Sequence, residues 1–334
     1  MGDVVLAEGA EMLSATDPEL PTYIHMEITN VCNFKCSFCP IGGITRKNGF
    51  MDVGVARHII DKIVDEGFAR ATHPLYLHQM GDPMLHPRLF DIIEHANSRG
   101  LYVDLVTNGS FLTGEALGGL ANANATLSIS YQTPTEDSFA HRHAKNLSFE
   151  KYRDLVFGAV EYKFANSTRT NYHWSIFFTG YHDWYGVRAV NTEDDVLRLK
   201  DDLDRFGLKL AGTYGLPYTQ HSPARFREMV DTQTPFQFLP GVEIQVKHPY
   251  AWPKAKKNLV TQGFCQHPWN YFVIYWNGDT SICCLDADNG FDLGNVMGTP
   301  LADIWNGDRA RAIRQGFANN EAISPVCQSC LSPS

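Results

Sequence analysis

Short apolar runs alternate with longer stretches of helical periodicity through the first two thirds of the chain. The short runs are rich in β-branched and aromatic residues and predict strands over 23–28, 74–79, 102–106, 126–130, 173–179 and 209–214. The stretches between them predict helices over 54–66, 88–99, 113–120, 149–164 and 192–206. A repeated strand–helix order is typical of a parallel sheet covered by helices. The pattern therefore predicts an α/β fold, a partial (β/α)6 TIM-like barrel with ligands at the carboxyl ends of its strands.

The pattern changes after residue 215. Six prolines between residues 217 and 253 interrupt any regular period, so the segment 216–263 is predicted to be an irregular bridge. Two apolar runs then flank Asn277-Gly278, which favours a type I′ hairpin turn, and a helix over 301–317 follows. The predicted domains are an N-terminal arm (1–21), a barrel core (22–215), the bridge (216–263) and a small C-terminal domain of one hairpin and one helix (264–334).

Composition and charge exclude several kinds of partner. The chain has 334 residues, 44% of them hydrophobic, and a formal net charge of −9, with no stripe of basic residues to follow a phosphate backbone. A nucleic-acid partner is therefore not expected. The longest apolar runs fall far short of the ~20 residues that span a bilayer, and the N-terminal residues show no signal-peptide pattern. We expect a cytoplasmic protein with no membrane partner.

The eight cysteines fall into two groups, three within residues 32–39 and five within 265–330. Cys32, Cys36 and Cys39 form a C-x3-C-x2-C motif directly after the first predicted strand. Thiolates bind soft metals and iron–sulfur clusters, and three of them hold a [4Fe-4S] cluster with one iron left open. A zinc loop completed by a distant residue is the structural alternative. An open iron indicates chemistry rather than a closed structural centre.

This motif after the first strand of a βα repeat resembles the radical S-adenosylmethionine (SAM) superfamily, and the rest of residues 22–215 resembles the core of that family. Gly81-Asp82-Pro83 is similar to the family's Gly-Gly-Glu-Pro segment, although Met80 and Asp82 replace a glycine and the glutamate. Thr107-Asn108 is similar to its Thr-Asn-Gly turn. The resemblance implies that SAM is contacted by Phe38, Gly81, Asp82, Pro83, Thr107, Asn108, Ser128 and Ser130. Taken singly, each of these short motifs is also an ordinary turn or cap.

The same resemblance implies a reaction. A [4Fe-4S] cluster on Cys32, Cys36 and Cys39 would cleave SAM to a 5′-deoxyadenosyl radical, which abstracts hydrogen from an unactivated C–H bond. The cofactor carries the difficult chemistry, and the barrel orients the substrate and excludes solvent. An external one-electron reductant of flavodoxin or ferredoxin type is implied as a partner.

A second motif lies at the C-terminal end of the chain. Cys265, Cys283, Cys327 and Cys330 are enough to close a second four-iron cluster, and their region resembles the auxiliary-cluster domains called SPASM and, in shortened form, twitch. The cysteine number favours the twitch form with one auxiliary [4Fe-4S] cluster; a zinc ribbon is the alternative. Cys284 is left over, either as a hydrogen-atom donor to a carbon radical or as a small buried hydrophobic residue.

The expected substrate is a small molecule. We expect a sugar, aminosugar or aminocyclitol of secondary metabolism, as in resembling dehydrogenases and epimerases of antibiotic biosynthesis, with alcohol oxidation or epimerisation as the outcome. Radical decarboxylation or dehydration of a sugar-derived substrate is an alternative, as is modification of a ribosomal peptide. Only 22 residues precede the first predicted strand, which disfavours a leader-recognition domain. A non-enzymatic electron carrier and a zinc-dependent interaction module are hypotheses from other classes.

Overall fold

The computed structural model describes residues 17–177, 192–247, 252–253 and 259–331. Two parts of the predictions lie outside the described residues. They are residues 1–16 of the predicted N-terminal arm and residues 178–179 of the fifth predicted strand. The strands are β1 (Tyr23–Met26), β2 (Leu75–Tyr76), β3 (Val103–Thr107), β4 (Ala125–Ile129), β5 (Asn171–Phe177), β6 (Phe236–Leu239), β7 (Val242–Lys247), β8 (Tyr271–Ile274) and β9 (Thr280–Ser281). The helices are α1 (Val53–Asp65), α2 (Leu89–Ser98), α3 (Gly114–Leu120), α4 (Glu136–Phe139), α5 (Phe149–Asn166), α6 (Glu193–Tyr214), α7 (Pro223–Asp231), α8 (His267–Asn270), α9 (Leu301–Trp305), α10 (Asp308–Ala318) and α11 (Pro325–Leu331).

The chain divides into two compact units, each assembled from separate stretches. The first unit contains Met1–Val31, Pro40–Val103 and Ala251–Ser334, and the second contains Cys32–Cys39 and Asp104–Tyr250. The predicted α/β fold with a mainly parallel sheet is confirmed.

In the first unit the strand order is β2-β1-β8-β9. Strand β1 is parallel to both β2 and β8, and β9 returns antiparallel to β8. One face of this sheet is apolar, because Ile24, Met26, Phe272 and Ile274 are all buried there. The Phe272 ring packs edge-on against Phe68 and Trp305 at centroid distances of 5.2 and 5.9 Å. The C-terminal hairpin thus contributes a parallel strand to the sheet of the first unit.

In the second unit the strand order is β6-β7-β5-β4-β3. Strand β3 belongs to this unit from Asp104 onward. Strands β4, β5 and β7 are parallel, and β6 is antiparallel to β7. Trp174 of β5 packs against Phe157 of α5 at 5.1 Å and Phe206 of α6 at 6.3 Å between ring centroids. These aromatic contacts hold the covering helices on one face of the sheet.

The predicted strand over 209–214 is wrong. Helix α6 continues through these residues, because Leu199, Leu203, Phe206 and Leu210 keep a buried stripe at helical spacing. The helix ends where Gly215 adopts the left-handed conformation at φ 66°. The strand prediction for residues 209–214 was wrong because buried apolar residues continue at helical spacing through this stretch.

The predicted irregular bridge over 216–263 is also wrong in part. It contains α7 and the β6–β7 hairpin, and β7 pairs in parallel with β5 from Tyr172↔Val242 to Phe177↔Lys247. Pro223 stands in the first turn of α7, and Pro217, Pro235 and Pro240 stand in connections between elements, where proline is tolerated. Strand β7 therefore takes the place that the prediction assigned to residues 209–214.

Two C-terminal details also differ from the prediction. The helix over 301–317 is divided into α9 and α10 at Gly307, where an added Cβ would lie 2.9 Å from the Asp303 carbonyl oxygen. The hairpin turn is not type I′, which needs a positive φ at both central residues: Gly278 has φ 87°, whereas Asn277 has no positive φ. The Gly278 N–H donates to the Tyr275 carbonyl oxygen at 2.8 Å and closes a turn over Trp276 and Asn277.

Candidate functional site

The three-cysteine loop, Cys32–Cys39, lies in the second unit and is ordered by hydrogen bonds to its own unit. The backbone N–H groups of Lys35 and Ser37 donate to the carbonyl oxygens of Arg142 and His141 at 3.2 and 2.9 Å. The Cys39 N–H donates to the Cys36 carbonyl oxygen at 3.0 Å. All three cysteines of the loop are half-buried and none of them forms a disulfide bond. The loop therefore presents three potential thiolate ligands on a fixed backbone.

Two side chains direct N–H groups at the sulfur atoms of this loop. Asn108 Nδ2 lies 3.7 Å from Cys32 Sγ, and Arg142 Nη1 lies 3.8 Å from Cys36 Sγ. Arg142 is only 2% exposed, and its Nε donates to Thr133 Oγ1 at 3.0 Å. A buried cation is stable when an anion pairs with it, and a deprotonated Cys36 supplies one. These contacts fit thiolate ligands, because hydrogen bonds to cluster sulfurs and nearby charge are the means by which a protein tunes such a centre.

Thr107 is the last residue of β3, and Asn108 begins the turn that follows it in the second unit. Asn108 Nδ2 also donates to Asn33 Oδ1 at 2.9 Å, and the Thr107 carbonyl oxygen accepts the Ser130 N–H at 2.8 Å. The following Gly109 has φ 85°, which lets the chain turn sharply after the strand. Both predicted residues thus hold the cysteine loop and the end of β4 through polar contacts.

Phe38, Ser128 and Ser130 also lie in the second unit. The Arg142 guanidinium stands over the Phe38 ring at 5.6 Å from its centroid, and Phe38 is buried. Ser128 Oγ donates to Asp104 Oδ2 at 3.5 Å, whereas the carbonyl oxygen of Ser130 accepts a hydrogen bond from Arg142 Nη2. The structure thus brings these residues together with the cysteine loop within one unit.

Gly81-Asp82-Pro83 lies in the first unit as a tight turn into a short 3-10 helix, Pro83–Leu85. Gly81 has φ 76°, and a Cβ there would stand 2.6 Å from the Thr29 carbonyl oxygen, so the close approach of two backbones requires glycine. The Asp82 N–H donates to the Val31 carbonyl oxygen at 2.9 Å, and its carboxylate accepts the Met84 N–H at 3.0 Å. Part of the Asp82 carboxylate is therefore used as a helix cap.

A buried ion pair supports this turn. Glu27 is fully buried, and its two carboxylate oxygens accept from Arg46 Nη1 and Nη2 at 2.7 and 2.8 Å. Glu27 Oε2 also accepts the Met80 N–H at 3.1 Å, immediately before Gly81. Burial raises the pKa of Glu27, and the bidentate contact with Arg46 opposes that rise. Arg46 Nε reaches the Ala287 carbonyl oxygen at 2.9 Å, so the pair ties three segments of the first unit together.

The C-terminal cysteines Cys265, Cys283, Cys327 and Cys330 form a second group, in the first unit. Burial raises the pKa of the Cys265 thiol to about 11, and the neighbouring thiols of Cys283 and Cys330 add to that rise. Burial likewise raises the pKa of Cys327, with contributions from Cys283, Cys265 and Cys330. The four thiols therefore lie within electrostatic reach of one another.

Cys284 lies beside this group, with its side chain hydrogen-bonded to that of Cys283. Its sulfur lies 4.0 Å from His267 Nδ1 and is hydrogen-bonded to the Tyr271 hydroxyl group, and its backbone carbonyl oxygen accepts from Gln79 Nε2. Cys283 Sγ lies closer to the same imidazole, 3.6 Å from His267 Nδ1. Cys284 is half-buried, so the small buried hydrophobic residue expected as an alternative does not describe it well.

The positions of the cysteines can be compared with what a zinc site and a four-iron cluster each need. Within the described parts of the chain, no three His, Cys, Asp or Glu side chains stand close enough together to hold one metal ion. A zinc site gathers four donors around a single ion, whereas each thiolate of a four-iron cluster binds a different iron. The cysteines of each group lie in one unit and supply the number of thiolates that a four-iron cluster uses, three for an open cluster and four for a closed one.

Comparison with protein families agrees with both cysteine motifs. The model of the radical SAM superfamily matches residues 26–174, and the model of SPASM, an iron–sulfur cluster-binding domain, matches residues 265–331. The chain therefore contains a radical SAM domain and a C-terminal SPASM domain. The first domain implies SAM and a [4Fe-4S] cluster, and the second implies auxiliary iron–sulfur binding, as predicted.

Several characterised proteins are similar to this chain, two of them over most of its length. A tungsten-containing aldehyde ferredoxin oxidoreductase cofactor-modifying protein of Pyrococcus furiosus is 25% identical over 92% of this chain and 86% of its own length. An AdoMet-dependent heme synthase of Nitratidesulfovibrio vulgaris is 23% identical over 99% of this chain and 90% of its own length. A PqqA peptide cyclase of Bradyrhizobium diazoefficiens is 26% identical over 40% of this chain and 36% of its own length.

Solved structures share the fold. BtrN in complex with AdoMet and 2-DOIA has a TM-score of 0.53 and 17% identity, and the match covers 95% of each chain. Streptococcus suis SuiB bound to its precursor peptide SuiA has a TM-score of 0.59 and 14% identity over 97% of this chain and 75% of that one. None of the helices described here has the length and apolar character needed to span a lipid bilayer.

Three features of the site were missed from the sequence. The sequence did not connect Arg142 with Cys36, His267 with Cys283, or Glu27 with Arg46 and the turn at Gly81. His267 carried a local signal, because it stands two residues after Cys265. Arg142 carried none, because more than 100 residues separate it from the loop that it contacts.

Proposed function

We propose that this protein is a radical SAM dehydrogenase that oxidises an alcohol group of a hydroxylated small molecule, a sugar, aminosugar or aminocyclitol. In this proposal Cys32, Cys36 and Cys39 hold the SAM-cleaving cluster, and Cys265, Cys283, Cys327 and Cys330 hold one auxiliary cluster. When bound, the first cluster and SAM supply a 5′-deoxyadenosyl radical that abstracts a hydrogen atom from the substrate.

The observation that carries the proposal is the presence of two unlike cysteine groups. A loop with three thiols leaves one iron of a cluster open to SAM, and a group of four thiols closes the second cluster to substrate. A closed cluster suits electron transfer, and oxidation of an alcohol needs an acceptor for one electron after hydrogen abstraction. This division of roles favours oxidation over a reaction without redox change.

Residues of this chain would bind SAM at two places. The backbone around Gly81, Asp82 and Pro83 would receive the amino group of SAM, with the Glu27–Arg46 pair fixing Met80 directly before it. Phe38, Thr107, Asn108, Ser128 and Ser130 would contact the remaining parts of the molecule. Because Asn108 also contacts Cys32 Sγ, it would couple the SAM pocket to the cluster loop.

A small-molecule substrate is supported by the relatives that match over most of the chain. Their names refer to modification of a cofactor and to synthesis of heme. BtrN, whose fold covers 95% of both chains, was solved with AdoMet and 2-DOIA. Peptide modification is the competing proposal, because the SuiB fold was solved with its precursor peptide.

Epimerisation is a second candidate outcome, favoured by the position of Cys284. Its thiol is the fifth of the C-terminal cysteines and contacts Cys283, Tyr271 and His267. In that outcome Cys284 would return a hydrogen atom to the opposite face of the substrate radical.

Product mass spectrometry tests these outcomes. The protein would be reconstituted anaerobically with iron, sulfide, SAM and a strong reductant, then given a panel of aminosugars, aminocyclitols and short peptides in deuterated water. Loss of two hydrogens from a panel member is expected and identifies oxidation. Gain of one carbon-bound deuterium with no other change would replace oxidation by epimerisation, and modification of peptides alone would overturn the substrate class.

A further inference from the structure

The parallel sheet of the second unit has one apolar face and one polar face. Tyr172 and Trp174 of β5 and Val242 and Ile244 of β7 are buried, and Trp174 packs on the covering helices α5 and α6. Successive residues of a strand point to opposite faces, so the residues between these belong to the inner face of the partial barrel. The apolar face packs against the covering helices. The polar side chains therefore lie on the inner face, where they could contact a ligand.

A row of polar side chains crosses this inner face. Ser128 Oγ of β4 lies 3.5 Å from Asp104 Oδ2 of β3. Ser128 stands directly opposite His173 of β5, and His173 stands directly opposite Glu243 of β7. Side chains directly opposite on neighbouring strands lie close enough to interact. Asp104, Ser128, His173 and Glu243 therefore form one continuous row, which we call the inner row.

Lys247 extends the inner row toward the carboxyl end of β7. It is the last residue of that strand and shares the face of Glu243, four residues earlier. Its positive charge acts on both Asp104 and Glu243. Active sites of barrels built from parallel strands lie at this end of the sheet.

The surroundings of Asp104 suit proton exchange near neutral pH. Asp104 is 8% exposed, and burial raises its pKa to about 7, while Lys247 and the Ser128 hydroxyl limit the rise. Burial lowers the pKa of both His173 and Lys247. A carboxyl group whose pKa lies near the working pH is the most effective general base.

We propose that the inner row and Lys247 form the substrate site of this protein, and that Asp104 is the proton acceptor for the hydroxyl group that is oxidised. The proposal rests on the proposed function and adds the residues that meet the substrate. Two carboxylates, a hydroxyl group, an imidazole and an ammonium group are suited to a substrate that carries several hydroxyl groups and at least one amino group. Ser128, which also belongs to the proposed SAM contacts, places the inner row beside the cofactor.

The oxidation balances with these groups. The carbinol carbon loses its hydrogen atom to the 5′-deoxyadenosyl radical, which becomes 5′-deoxyadenosine. The O–H bond of the same carbinol breaks, and its proton passes to the Asp104 carboxylate. The remaining electron passes to a one-electron acceptor of the iron–sulfur class, and a C=O bond forms.

Asp104→Asn tests the assignment, because asparagine keeps the shape of the side chain and removes the proton acceptor. The reconstituted full-length variant would be given the panel substrate that the wild type oxidises, deuterated at the oxidised carbon. We expect 5′-deoxyadenosine formation and deuterium transfer into it to persist, while the ketone product falls at least about 100-fold. Asp104→Glu should restore part of the ketone yield. Asp154→Asn, on the exposed side of α5, is the matched control and should match the wild type.

The outcomes separate the two proposals. Ketone formation by Asp104→Asn at the wild-type rate would overturn the role of Asp104 and leave the proposed function intact. A wild type that cleaves SAM but oxidises no panel member would overturn both. Equal loss of 5′-deoxyadenosine and ketone in Asp104→Asn would also overturn the proton-acceptor role, because it would show that Asp104 acts before hydrogen abstraction.

Discussion

The two cysteine groups use the same ligand in opposite surroundings. The loop Cys32–Cys39 is half-buried, and the N–H groups of Asn108 and Arg142 point at its sulfur atoms. In the C-terminal group Cys283 and Cys327 are buried, and burial is the largest cause of the raised pKa of Cys265 and Cys327. The first group is equipped to stabilise negative charge at an accessible centre, and the second is equipped to enclose one.

This difference teaches that ligand spacing alone does not define the role of a cluster. Four thiols in an apolar setting suit a closed centre, whose function is to carry an electron or to hold the fold. Three thiols beside a buried cation and an amide suit a centre that binds a further ligand. The residues around each cysteine group distinguish the two clusters. Substitutions near the open loop and near the C-terminal group should therefore have different consequences.

Removal of one ligand from the open loop should have the largest effect. Cys36→Ala leaves two thiols in the loop, so we expect SAM cleavage to be lost while the C-terminal cluster remains, with about four of about eight irons kept. Iron analysis and 5′-deoxyadenosine formation measure the two properties separately. Cys327→Ala is the mirror-image control, with the same iron loss and retained SAM cleavage. Retained 5′-deoxyadenosine formation in Cys36→Ala would contradict the ligand assignment.

Breaking the buried ion pair of the first unit should cost stability. Glu27→Gln leaves the Arg46 guanidinium without its carboxylate in a buried position, and we expect a loss of about 3–5 kcal/mol in the free energy of unfolding. Anaerobic thermal or urea denaturation measures it. Asp91→Asn removes a carboxylate from the exposed Arg88 pair and should leave the free energy of unfolding almost unchanged, because solvent screens this pair. Equal losses for the two variants would argue against a structural role of the pair.

Removal of the cation beside the open loop should shift the potential of its cluster. Arg142→Met deletes the charged donor to Cys36 Sγ, so the reduced cluster, which carries the extra negative charge, is stabilised less. We expect a reduction potential lower by on the order of 100 mV, the equivalent of a charged hydrogen bond of ~2 kcal/mol.

A redox titration followed by electron paramagnetic resonance measures that shift. Lys35→Met removes an exposed charge of the same sign from the same loop and is the matched control. It should change the potential far less, because solvent screens an exposed charge. An unshifted potential in Arg142→Met would show that Arg142 serves packing alone.

Substitution of the spare thiol should have the smallest effect. Cys284→Ser leaves the four other C-terminal thiols in place, so we expect unchanged iron content and unchanged yield of oxidised product. Cys283→Ser, one residue earlier, should lose the auxiliary cluster. Loss of product with full iron content in Cys284→Ser would favour epimerisation and the hydrogen-donor role.

Much of the fold follows from local pattern. The apolar runs near residues 23, 103, 126 and 171 are strands, and helix α1 lies within one residue of its predicted bounds. The errors lie where a local pattern is compatible with both a strand and a helix. Residues 209–214 contain strand-forming residues, yet Leu210 continues the buried stripe of α6, and the missing strand was supplied by β7. That choice depends on pairing with β5, which is remote in the chain.

The sequence by itself determined the class of chemistry: the spacing of Cys32, Cys36 and Cys39, the number of C-terminal cysteines and the strand–helix order are all short-range features. Only the tertiary structure decided that His267 contacts Cys283, and that Arg142 meets Cys36. It also decided that Asp104, His173 and Glu243 share one row. The physical reason is that ligand spacing and periodicity act within a few residues, whereas the partners of a side chain depend on the register between strands far apart in the chain.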